Sequence, residues 1–189
     1  MGTNHMGRQS IRFPQPPVVR GFASVAGKKE REGPLGDQFT ATVQDTTFGE
    51  KSWERAERRM QQMTLELALE KAGLTDADLD AAFAGDLLNQ CIGSSFSLRN
   101  RGVPTLGLYG ACSTMAESLL LAAMSVSGGY ARTALAMTSS HFASSERQYR
   151  FPLGYGGQRT PTSQWTVTGA GAVLLGGGEC GIRITAATM

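Results

Sequence analysis

Cysteine and histidine are scarce in this chain, three of the first and two of the second among 189 residues. Cys91, Cys112 and Cys180 are odd in number and widely separated. With no C-x-x-C pair among them, neither a zinc finger nor a disulfide framework is indicated, and a reducing compartment fits. His5 and His141 form no metal-ligand spacing with the carboxylates, so no metal and no cofactor is expected. An excess of one charge is also missing. Eighteen Lys and Arg face 16 Asp and Glu, a formal +2, with no block of like charge. A nucleic-acid partner is therefore not expected, and the mixed run from Lys28 to Glu32 reads as a solvated loop. Long hydrophobic runs are absent as well, which leaves no signal peptide, no membrane helix and only peripheral membrane association. Of the seven prolines, Pro14, Pro16 and Pro17 cluster near the start. Residues 1–20 are accordingly expected to be weakly ordered, and His5 is given no function.

Glycine is abundant, with 24 residues scattered among segments of ordered pattern. Val18 to Val25 reads as a first strand, followed by a polar loop from Gly27 to Asp37. Trp53 to Ala72 is a helix whose Trp53, Ala56, Met60, Met63 and Leu67 follow the spacing of one buried face. Ser52 is placed to cap its start and Gly73 its end. Thr75 to Leu79 reads as a capped turn with Asp78 closing a capping box. Ala81 to Ala84 is a second strand, Leu87 to Leu98 a helix, and Thr105 to Tyr109 a short buried strand. Met115 to Val126 is a helix that is apolar on nearly all sides, and so must be covered on nearly all sides. Thr133 to Thr138 is a further strand, and His141 to Gln164 an irregular, glycine-rich excursion. Ala170 to Leu175 and Ile182 to Ala186 read as a closing hairpin. Strands alternating with helices indicate an α/β fold with a mostly parallel sheet.

The turn Gly110-Ala111-Cys112-Ser113-Thr114 joins the third of these strands to the apolar helix. Backbone N–H groups and the helix dipole favour negative charge there, which suits a nucleophilic thiolate. A small buried core cysteine is the alternative. In a parallel sheet, ligands gather at the carboxyl ends of strands. Asp86, Cys112, Ser140 and His141 each follow a predicted strand, and His141 is the one histidine placed to act as a local base. Asp86 could equally cap the next helix, and His141 could equally be satisfied inside a loop. Gly169-Ala170-Gly171 lacks the third glycine of a dinucleotide fingerprint and runs into a strand. Gly154 to Gly157 lacks the Gly-Lys-Ser/Thr of a phosphate loop.

Three features together resemble the amino-terminal half of the thiolase and ketoacyl synthase superfamily. They are Cys112-Ser113-Thr114 before a buried helix ending at Gly128-Gly129, the strand Ala134 to Met137, and Thr168-Gly169-Ala170-Gly171-Ala172. Within that superfamily the chain resembles the stage V sporulation AD proteins. Gly33-Pro34-Leu35-Gly36, Ala84 to Gln90, Gly110 to Thr114, Thr138 to His141, Glu146-Arg147-Gln148, Tyr155 to Gln158 and Gly181 to Thr185 carry this likeness. The resemblance implies one half of a thiolase-like fold over residues 21–189. This half is a mixed, mostly parallel five-stranded sheet with helices on both faces, the second half being absent. It implies a sporulation protein that binds dipicolinic acid, with calcium, for uptake into the developing spore. It further implies a peripheral position at the spore inner membrane, membrane proteins of dipicolinate transport as partners, and a homodimer. The implied ligand-binding set is Asp86, Asn89, Cys112, Ser113, Ser140, His141, Thr168 and Gly169, with Cys112 as a relic nucleophile. The alternative function is a thiolase-like acyltransferase with Cys112 as acyl acceptor.

Overall fold

A computed structural model describes residues 4–149, 160–162, 164 and 166–189. In chain order its elements begin with β1 (His5–Met6), β2 (Ser10–Arg12), β3 (Val18–Ala26), α1 (Lys28–Arg31) and β4 (Ala41–Thr42). There follow α2 (Trp53–Ala72), β5 (Ala81–Gly85), α3 (Ile92–Leu98), β6 (Thr105–Leu108) and α4 (Thr114–Ser127). The chain closes with β7 (Thr133–Ser140), α5 (Phe142–Tyr149), β8 (Gly169–Gly176) and β9 (Ala186–Thr188). The main sheet runs β4-β3-β8-β7-β5-β6. Three of its pairings are parallel, β3 with β4, β5 with β6 and β5 with β7. β8 lies antiparallel to both β3 and β7. The sheet is thus mixed and mostly parallel, and the two-residue β4 brings the expected five strands to six.

Alternation along the central strands decides which helix packs where. Leu135 and Met137 of β7 join Leu65, Ala68 and Leu69 of α2, together with Ala172 and Leu174 of β8, in one core. Ala134 and Ala136, on the opposite face of β7, meet Ala122 and Ala123 of α4 with Phe83 and Leu175. Successive strand side chains point to opposite faces, so small residues on one face admit α4 closely while large ones fill the α2 side. α2 begins at Ser52, whose side chain accepts the Arg55 N–H, and ends at Gly73 in the left-handed conformation. The capping box of Thr75 and Asp78 is present.

Several expectations are corrected. The segment expected to be weakly ordered, 1–20, carries β1 and β2, which build a separate three-stranded sheet with β9. Pro14, Pro16 and Pro17 lie between β2 and β3 rather than inside a strand. The closing hairpin does not form. Ile182 and Ile184 bond instead to the backbone of Val19 and Pro17, and β9 turns to β2. The Thr105–Leu108 strand is mostly exposed rather than buried, because it forms the sheet edge. The helix expected from Leu87 begins at Ile92, after a turn in which Gln90 and Cys91 take positive φ. The polar loop after β3 contains α1, and the first part of the irregular excursion is α5. Gly154–Gly157 and Tyr155–Gln158 lie outside the described residues. The buried stripe of α2 is also turned: Glu57, Gln61 and Thr64 are fully buried, whereas Trp53, Met63 and Leu67 are only partly so.

Candidate functional site

The carboxyl ends of β5 and β7, the start of β8 and the turn before α4 enclose a cleft of about 460 Å³. Its lining comprises Leu87, Ala111, Cys112, Met115, Thr138, Ser139, Ser140, Gln164, Thr166, Val167, Gly169 and Gly171. Cys112 is exposed, which removes the core-cysteine alternative. It sits in a 3-10 turn, Ala111–Ser113, immediately before α4 rather than within the helix. Ala111 holds φ at 50°, a left-handed conformation that a β-carbon disfavours, and so the turn is strained beside the thiol. Side chains lock this turn. Ser113 Oγ donates to the Gly110 carbonyl at 2.8 Å and also hydrogen-bonds the Glu117 carboxylate, while Gly110 N–H donates to Thr114 Oγ1 at 3.2 Å.

The candidate residues divide into those that meet at the cleft and those that do not. Cys112, Ser140 and Gly169 line it, with Ser140 paired to Gly169 across the strands. The Ser140 hydroxyl donates to the Val167 carbonyl at 2.6 Å. Ser113 faces Glu117 instead. Asn89 does not line the cleft: its N–H donates to Gln148 Oε1 at 3.0 Å and its Oδ1 accepts from the Tyr109 hydroxyl at 3.5 Å. Asp86 is buried and accepts from Leu88 N–H at 2.9 Å, Ser94 N–H at 2.7 Å and Ser94 Oγ at 2.6 Å. It therefore shapes the turn into α3 and does not reach the cleft. Thr168 is buried, its Oγ1 accepting from Phe142 N–H at 3.1 Å and its N–H donating to Glu30 Oε1 at 2.9 Å. It lines a neighbouring cavity of about 330 Å³ together with Lys28, Lys29 and Glu30.

His141 is corrected as a local base. It is fully buried, stacked on Phe142 and packed on Trp53, with Nε2–H donating to the Thr46 carbonyl at 2.8 Å and Nδ1 accepting Ala143 N–H at 3.2 Å. Both ring nitrogens are thus engaged. Burial depresses its pKa below the ordinary histidine value, with only partial compensation from the Thr46 carbonyl. Among the described residues no imidazole lines the cleft.

A model of the stage V sporulation protein AD family matches residues 7–189. The chain belongs to that family. It is similar to stage V sporulation protein AD of Bacillus subtilis (strain 168), with 44% identity over 183 residues, covering 97% of this chain and 54% of that protein. The chain thus spans about half the length of the curated relative it matches. Among solved structures it is similar to 3-oxoacyl-(acyl carrier protein) synthase III of Xanthomonas oryzae pv. oryzae. There the TM-score is 0.56 and the identity 16%, over 86% of this chain and 56% of the other. It is likewise similar to OleA of Xanthomonas campestris, at a TM-score of 0.59 and 14% identity, over 86% and 56%. These likenesses show the fold, which is one half of a thiolase-like architecture. No helix among the described residues is long and apolar enough to cross a membrane.

This member of the sporulation protein AD family also carries a polar group that sequence reasoning missed. Behind the cleft, on the α2 side of the sheet, Gln61 Nε2 donates to Ser139 Oγ at 2.7 Å and to Ser94 Oγ at 3.3 Å. Gln61 Oε1 accepts from Ser97 Oγ at 2.6 Å. Ser139 then donates to Glu57 and Ser94 to Asp86, so two buried carboxylates are joined through one amide. The available signal was the spacing of Glu57, Gln61 and Thr64, polar residues recurring on the face that also holds Met60 and Ala68.

Proposed function

We propose that this sporulation protein binds dipicolinic acid in the Cys112 cleft, as part of the uptake of that small aromatic dicarboxylate into the developing spore. Family membership carries the reading. The cleft supports it: its volume of about 460 Å³ falls within the usual range for small-molecule sites. Gly169 and Gly171 leave a flat wall that an aromatic ring can lie against, and Thr138 lines the cleft beside them. Among the described residues the lining carries no cation. Charge compensation for a dianion then falls to groups contributed by the rest of the full-length protein, or to calcium bound with the ligand. The protein would act peripherally at the spore inner membrane, with membrane proteins of the same transport process and a second copy of itself as partners.

Calorimetric titration of dipicolinate into the full-length protein, beside its Cys112→Ala variant, tests this. Saturable binding that survives the substitution is expected. The exposed thiol keeps one other reading in view, acyl transfer with Cys112 as acceptor. Absence of dipicolinate binding, together with acylation of Cys112 by an acyl thioester, would replace the binding reading with that one.

A further inference from the structure

The network on the α2 side of the sheet centres on a carboxylate that the cleft does not use. Glu57 is fully buried. Its Oε1 accepts the Ser139 hydroxyl at 2.7 Å and its Oε2 the Ser144 hydroxyl at 2.6 Å. The charges it feels are acidic, Asp86 at the end of β5 and Glu54 on α2. α3 brings Ser94 and Ser97 and no charged residue. On α5, Arg147 reaches outward to Glu54, and Glu146 accepts from Thr166. His141 directs its ring to Thr46 and Ala143. No described cation forms an ion pair with Glu57.

The two hydroxyls that meet Glu57 differ in freedom. Ser139 Oγ accepts an N–H of Gln61, which commits its own proton to Glu57. Ser144 Oγ has two acceptors within reach, Glu57 Oε2 at 2.6 Å and the His141 carbonyl at 3.1 Å. With Glu57 ionised, the Ser144 proton points at the carboxylate. With Glu57 neutral, the carboxyl O–H donates to Ser144 Oγ, and the Ser144 proton turns to the His141 carbonyl, which it shares with the Ser145 N–H and hydroxyl. Every polar group keeps a partner in both states, so a proton can arrive or leave without stranding a donor or acceptor. Only the ionised state leaves a buried, unpaired negative charge beside Asp86, and a low-dielectric interior penalises that.

We infer that Glu57 is a proton-operated clasp. The neutral acid fastens α5 to α2 and to the end of β7, and loss of the proton loosens α5. The effect reaches the cleft, because α5 holds Thr166 through Glu146, and Thr166 lines the cleft wall. Burial is the chief reason that the Glu57 carboxyl is pushed up to about 7, against the lowering effect of the Ser144 and Ser139 hydroxyls, which sets the clasp in the neutral range. The clasp is independent of what the cleft binds.

Hydrogen exchange of residues 142–149 in the full-length protein, corrected for intrinsic rates at about pH 6 and about pH 8, tests the inference. Glu57→Gln mimics the neutral acid, with Oε1 accepting from Ser139 and Nε2 donating to Ser144. Protection in the wild type is expected to fall by roughly tenfold across this range, the change that a carboxyl titrating within it allows. Protection in E57Q should stay level. Matching pH profiles in the two proteins overturn the clasp. If E57Q does not fold, Ser139→Ala serves: it removes a hydroxyl that favours the ionised form, so the midpoint of loosening moves upward. An unmoved midpoint overturns the inference equally.

Discussion

Replacing Gly85 by Ala tests how tightly the carboxyl end of β5 is set beneath the cysteine turn. A methyl carbon at this position would lie 2.2 Å from the Leu108 carbonyl oxygen and 2.5 Å from Thr114 Cγ2. Thr114 can swing its methyl away by a rotamer change, but the nearer atom belongs to the backbone of β6 and no rotamer relieves it. That strand, or the start of α4, must therefore move by about 1 Å. Overpacking of this kind costs about 1–3 kcal/mol, and a backbone obstacle places the expectation in the upper half of that range. Gly107, on β6, supplies the control. A methyl carbon there meets only Cys91, with Sγ at 3.5 Å and Cβ at 3.6 Å, which is ordinary contact. Gly107→Ala should therefore change stability by less than about 0.5 kcal/mol. Urea unfolding of the full-length protein, compared at constant m-value, measures both. The alkylation rate of Cys112 reports whether the turn has shifted. A Gly85→Ala variant within about 0.5 kcal/mol of wild type, or equal losses at both positions, would refute the packing account.

Three further outcomes follow. The folded-state pKa of Glu57 is raised from 4.5 to about 7, so its contribution to stability is fully present below about pH 4.5 and is lost as pH rises towards 7. Glu57→Gln should abolish that decline, worth a few kcal/mol, in thermal unfolding followed across pH. Cys112 and Cys180 are exposed, whereas Cys91 is buried with its thiol directed at the Leu108 carbonyl at 3.2 Å. Alkylation of the native protein followed by mass spectrometry should therefore modify the first two and spare Cys91 until the protein is unfolded. An apolar groove formed by Val19, Phe22, Met115, Leu119, Val173, Ile182 and Ile184 lies open along α4 in this chain. The 189-residue chain by itself should accordingly self-associate, and a clean monomer by light scattering would contradict this.

Much of the scaffold was legible because its signals are local. The periodicity and caps of α2 placed its ends correctly, since Ser52 and Gly73 act within one turn of the residues they cap. The largely apolar character of Met115 to Val126 foretold a helix that one sheet does not cover, and several of its residues do remain partly exposed. The failures are of another kind. Thr105 to Leu108 looks buried by composition, yet its place at the sheet edge depends on strand order, which no local pattern encodes. Ile182 to Ala186 alternates cleanly, but its partners are Pro17, Val19 and β2 rather than β8.

The site divides along the same line. Cys112, Ser140 and Gly169 come together because each stands at a strand end on one edge of the sheet. Asp86 and His141 also stand at strand ends, but their side chains are drawn into the protein by Ser94 and by Thr46. The polar group around Glu57 escaped notice because its meaning lies in distant partners. Ser139 and Ser144 are 82 and 87 residues away in the chain.

The most direct test of the binding account uses Cys112 as a reporter in the full-length protein. Its alkylation rate would be followed as dipicolinate is added, with Cys180 as an internal reference. Occupancy of the cleft predicts a saturable slowing at Cys112 and an unchanged rate at Cys180. An unaltered Cys112 rate at dipicolinate concentrations that saturate binding would place the ligand elsewhere and contradict the account.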